Sequence, residues 1–123
     1  MPYGRLTSKA AAAAVAGGAL LGGGGGGAPS MGLKLAELAC ATGRPHLIPV
    51  EDVDAESLLL TVALVGAPAA AEALVKPVDY VRAVKLALAQ LGIEPDELGG
   101  LITNENGGTA TVNGWFQSAV LDI

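Results

Sequence analysis

The sequence predicts an α/β fold, with layered helices on a small mixed or parallel sheet. Helix-forming segments alternate with short Leu- and Val-rich runs, and Gly or Pro punctuates nearly every junction. The run Leu58 to Val65 is apolar almost throughout, the habit of a strand buried on both faces by helices. The predicted order is two helices, two strands, a helix, a strand and a helix, followed by an apolar run at the end of the chain.

Thr7 or Ser8 can cap a first helix through Ala10 to Leu21, where alanine propensity is high and Gly17-Gly18 is the weak point. Six glycines, Gly22 to Gly27, end it. Pro29 suits the first turn of a second helix, with Leu33, Ala36 and Cys40 as its buried stripe and Gly43 as its stop. His46 to Val50 and Leu58 to Val65 read as strands, joined by the acidic loop Glu51 to Asp54, a solvated connection. Pro77 opens the clearest helix, whose stripe is Val81, Val84, Leu88 and Leu91, and Gly92 closes it. Leu98 to Thr103 forms a strand despite Gly99-Gly100. A last helix from Thr109 or Thr111 through Ala119 buries Val112, Trp115, Phe116 and Ala119, and Val120 to Ile123 reads as a strand beginning. On that reading the chain is one α/β domain over residues 1–123, truncated, and the N-terminal part of a longer two-domain protein.

Composition narrows the function. The 123 residues suit one core, but 51% apolar content made largely of Ala, with only Tyr3, Tyr80, Trp115 and Phe116 as aromatics, buries little area per residue. Twelve acidic against seven basic residues give a net charge of −5, without a basic cluster, which argues against nucleic acid as a partner. The single Cys40 excludes an intrachain disulfide and a four-cysteine zinc site. His46, the sole histidine, has no neighbouring ligand residue, so no metal is assigned and the residues name no cofactor. Arg5 and Lys9 before Ala10 to Leu21 have the outline of a secretory leader, but the stretch is mostly Ala and Gly without a clean cleavage site, and it is too short to span a membrane. The expected setting is cytoplasmic.

The glycine run is the leading candidate for a site. Without Cβ it can take positive φ and admit a backbone or ligand closely. Gly22, Gly24 and Gly27 satisfy a dinucleotide fingerprint only nominally, because a helix rather than a strand precedes them. A second cluster, Asn106-Gly107-Gly108, lies between a strand and a helix, where free N–H groups favour an acceptor such as a carbonyl or oxyanion. Glu105 beside it is either a general base or a loop cap. Asn113, a turn further on, can face the same loop or be a surface group. The candidate site is therefore Glu105 with Gly24, Gly25, Gly26, Gly27, Asn106, Gly107, Gly108 and Asn113.

In order and spacing, Ala19-Leu20-Leu21 through the glycines to Ala28-Pro29, then Val65-Gly66-Ala67-Pro68, then Glu105-Asn106-Gly107-Gly108 with Asn113-Gly114-Trp115, resemble the N-terminal domain of the S-methyl-thiohydantoin desulfurase family. Its members are often encoded beside hydantoinase or oxoprolinase subunits. The resemblance implies an α/β part followed by a β-rich part and a hydrolase acting on hydantoin-like rings, with a further segment bearing Asp, Arg and His. It implies that the glycines carry the ring, that Glu105 handles the water displacing methanethiol, and that this fragment is inactive alone. The alternative is a noncatalytic assembly module that uses the glycine loop and an open sheet edge as an interface, with a homo-oligomer as one outcome.

Overall fold

The structure is a computed structural model that describes residues 4–67, 69, 70, 72 and 75–123. The elements, in chain order, are β1 (Gly4–Arg5), α1 (Ser8–Leu21), α2 (Pro29–Thr42), β2 (His46–Leu47), β3 (Leu58–Val62), α3 (Pro77–Leu91), β4 (Leu98–Thr103) and α4 (Trp115–Leu121). Single 3-10 turns cover Val50–Asp52, Pro95–Glu97 and Ala110–Val112. The α/β layering is as expected. Among the described residues the sheet is a parallel pair, β3 with β4, and a separate antiparallel ribbon, β1 with β2.

Thr7 caps α1, its Oγ1 accepting the Ala10 N–H at 3.2 Å, an interaction typically worth about 1 kcal/mol. The buried face of α1 is Ala11, Ala14, Val15 and Gly18. That of α2 is Gly32, Leu35, Ala36 and Ala39, so the expected stripe is displaced, with Leu33 and Cys40 only partly buried. The cause is Gly32: a Cβ there would strike the Gly108 carbonyl, so the bare face of the helix must turn toward that backbone. Small residues on both helices let them approach closely. The core accordingly divides into an Ala-rich cluster around Ala11, Ala36 and Val112, a middle one around Leu35, Tyr80 and Phe116, and a third around Val62, Val84 and Leu88.

β3 is shorter and more open than its composition suggests. It stops at Val62, and Leu59 remains exposed because only one face of the two-stranded sheet meets α3; Leu58, at the strand's first position, is exposed as well. Pairing runs from Leu58 opposite Leu98 to Val62 opposite Thr103, with an irregularity after Leu58. α3 matches its predicted stripe at Val81, Val84 and Leu88, adds Tyr80, and leaves Leu91 exposed. Gly92 closes it in the left-handed region, φ 69°.

Three expectations are corrected. The strand at His46 to Val50 keeps only His46–Leu47, because Pro49 leads into the Val50–Asp52 turn. The last helix is broken: Asn113 is extended and Gly114 has φ 102°, so α4 starts afresh at Trp115. Val120 to Ile123 is not a strand, since α4 runs through Leu121 and Asp122 ends it at φ 58°. Pro68 of the Val65-to-Pro68 motif, and Tyr3, lie outside the described residues. Among the described residues no helix is long and apolar enough to cross a membrane.

Candidate functional site

The glycine run turns between α1 and α2 because Gly23, Gly24, Gly26 and Gly27 all adopt positive φ, 59° to 96°. The loop does not stand apart. The Thr109 and Ala110 N–H groups both donate to the Gly26 carbonyl, at 3.0 and 2.9 Å, and Thr109 Oγ1 donates to the Ala28 carbonyl at 2.9 Å. The amides opening the Ala110–Val112 turn are thereby engaged by the glycine loop. Contact is backbone to backbone: a Cβ at Gly26 would lie 2.6 Å from the Asn106 carbonyl oxygen.

Of the residues singled out in the sequence, Gly26, Gly27, Asn106, Gly107 and Gly108 meet in this junction. Gly107 and Gly108 are buried, and the Gly107 N–H donates to Thr111 Oγ1 at 3.0 Å. Gly24 and Gly25 lie on the exposed outer side, and Glu105 is exposed beside Asn106. Asn113 goes elsewhere. Its residue is 5% exposed, and it stands between two cavities beyond the Ala110–Val112 turn.

The larger cavity is a groove of about 380 Å³ whose walls include Leu47, Leu59, Leu101, Thr103, Asn113 and Trp115. That volume falls in the range of small-ligand sites, and the composition, apolar walls with a few polar groups, is typical of them. β4 supplies the floor, where Gly99-Gly100 keep it bare, and β2 with Leu6 supplies a side. His46 lies in that side, exposed. The groove connects with the glycine junction through two threonines. Thr103 Oγ1 donates its one proton to the Ala110 carbonyl at 2.9 Å, with the Glu105 carbonyl as a weak second acceptor at 3.5 Å, while Thr111 Oγ1 donates to Asn106 Oδ1 at 3.3 Å. The Glu105-Asn106 turn is thus tied to the groove's rim.

A second pocket of about 160 Å³ lies between β3 and α3, with Asn113, Gln117 and Tyr80 in its wall. Gln117 was not anticipated. The one signal for it was its spacing of four from Asn113 on what reads as a continuous helix, the separation at which two amides can pair. The groove itself had no local signature, because its walls come from Leu6, β2, β3, β4 and the segment around Trp115.

Among the described residues, two groups have displaced ionisation. Burial pushes the Cys40 thiol up, with Arg5 opposing and Glu37 adding to the rise; burial also pushes the Tyr80 phenol up. Both are neutral when protonated, so their folded-state pKa values exceed the unfolded ones. Their stabilising contribution is complete below the ordinary thiol and phenol ranges and is lost as pH rises through the raised values. Urea midpoints measured from about pH 8 to about pH 11 should therefore fall, and Tyr80→Phe should flatten the upper part of that decline. A midpoint independent of pH would contradict the assignment.

An α/β layer whose two glycine runs lock a helix pair beside an apolar groove defines the kind of protein this is. The family model for the S-Me-THD-like, N-terminal domain matches residues 10–123, and the chain belongs to that family. Comparison with curated proteins and with solved structures gives no match.

Proposed function

We propose that the chain forms one wall of the active site of a thiohydantoin-processing hydrolase, as the N-terminal part of a two-domain enzyme. The observation that carries this reading is the tie between the Glu105-Asn106 turn and the rim of the groove, in a chain of the S-Me-THD-like family. A planar five-membered ring fits a groove of this size and apolar character. The ring carbon that bears the S-methyl group would face the rim. Water adds there, forming the C–O bond; the C–S bond then breaks, methanethiol leaves with one proton, and the other proton ends on the ring nitrogen. Glu105 takes the proton from the attacking water. The setting is a reducing cytoplasm, and hydantoinase or oxoprolinase subunits are the natural partners for the hydantoin produced.

The test is methanethiol release from a panel of S-methyl-thiohydantoins, run on this chain and on a family member carrying both parts. Release by the longer protein and none by this chain is expected. Release by neither would overturn the reading.

A second reading is favoured by the exposure of Leu20 and Leu21, 82% and 74%, next to the glycine loop. Apolar side chains so placed suit a noncatalytic assembly surface. Self-association lost in Leu20→Ser/Leu21→Ser, together with absent methanethiol release, would support it.

A further inference from the structure

Two buried amides, one of them in the groove wall, have their orientations determined by a backbone group that can only donate. The Gly114 N–H points to Gln117, 3.1 Å away, so the atom that receives it must be Oε1. That leaves Gln117 Nε2 facing Asn113 at 2.8 Å, and Asn113 must answer with Oδ1. The Asn113 end of the chain is therefore Nδ2, with two N–H donors. Gln117 is 2% exposed and Asn113 5%, so neither reorients in open water. Among the described residues every fully buried side-chain polar atom has a partner, and the only side-chain bond of Asn113 is the one its Oδ1 accepts. Its Nδ2 thus meets open space. Asn113 lines both the groove and the second pocket, whereas Gln117 lines the second pocket and not the groove, so the Oδ1 end that faces Gln117 lies toward the second pocket and the Nδ2 end is left to the groove.

We propose that Asn113 Nδ2 is a specificity determinant of the groove, held as a donor by Gln117, and that it selects ligands presenting a hydrogen-bond acceptor, a ring carbonyl or an unprotonated ring nitrogen. The proposal rests on the reading of the groove as the ring site. Gln117 is a positioning residue, acting through Asn113. A ligand edge carrying N–H would meet two donors and bind poorly, whereas a carbonyl placed there replaces water without leaving a buried group unpaired. The Gly114 position explains why the arrangement holds: its φ of 102° restarts the helix and aims that N–H inward.

The probe is hydantoin itself, whose two carbonyls are acceptors, titrated into the isotope-labelled chain. The Asn113 side-chain NH₂ signals, identified by their loss in Asn113→Asp, are expected to move with the groove backbone amides of Leu101 to Thr103. In Gln117→Glu the carboxylate still accepts from Gly114 but cannot donate, so Asn113 turns its NH₂ toward it and presents Oδ1 to the groove. Hydantoin affinity should then fall about tenfold, as it should in Asn113→Asp. Movement of the backbone amides with the Asn113 NH₂ unmoved would overturn this proposal and leave the ring site standing. No movement anywhere would overturn both. The wild-type titration needs no variant, so it decides even if a substitution fails to fold.

Discussion

Gly32→Ala is expected to destabilise the chain by about 3 kcal/mol or more, the upper end for overpacking in a close-packed core. A Cβ at Gly32 would overlap the Gly108 carbonyl and sit 3.0 Å from Thr109 Cα. Those neighbours are backbone and cannot rotate aside. α2 would have to retreat, and with it the bonds from Thr109 to the Gly26 and Ala28 carbonyls that hold the two glycine runs together. Against a typical total of 5–15 kcal/mol, a loss of that size should lower the melting temperature by about 10 °C or more. Gly17→Ala is the control: it lies in α1 with nothing within 4 Å of its Cβ position, and should stabilise by up to about 1 kcal/mol. Thermal unfolding followed by circular dichroism separates them. Equal melting temperatures would show that the Gly32 contact does not hold α2 in place.

Glu105→Gln, made at the matching position of a family member that releases methanethiol, should reduce kcat by about 100-fold or more, the lower range for removing a positioned general base. The substitution preserves size and acceptor oxygen, and Glu105 contributes only its backbone carbonyl to the Thr103 bond, so the fold should be unaffected. KM should change little, because on the proposed reading the groove and not Glu105 holds the ring. Unchanged kcat with raised KM would remove Glu105 from the chemistry and make it a binding group.

The elements that were legible in the sequence are those specified by neighbours in the chain. Thr7 before an alanine run, Pro29 and Pro77 at first turns and Gly92 at a helix end each act within about one turn, and α1, α2, α3 and β4 follow. The family was legible for the same reason, in short ordered motifs that the family model matches over residues 10–123. The meeting of the two glycine clusters was approachable too, since glycine where a side chain could have stood implies close approach. What approached was backbone. Gly26 and Gly107 press on each other, which no local pattern distinguishes from room for a ligand.

The misread elements depend on distant partners. Asn113-Gly114 break the final helix because Gly114 lies against Val62 and Leu101, and Leu59 is exposed because the β3–β4 sheet is covered on one face alone. The sequence by itself determined the helices, their caps, the parallel strand pair's composition and the family. Only the tertiary structure decided the face α2 buries, the groove, and the donor end of Asn113. Caps and propensities are interactions over a few residues, whereas burial and amide orientation are settled by groups far along the chain: Gly108 for Gly32, and β4 for the groove that Asn113 enters.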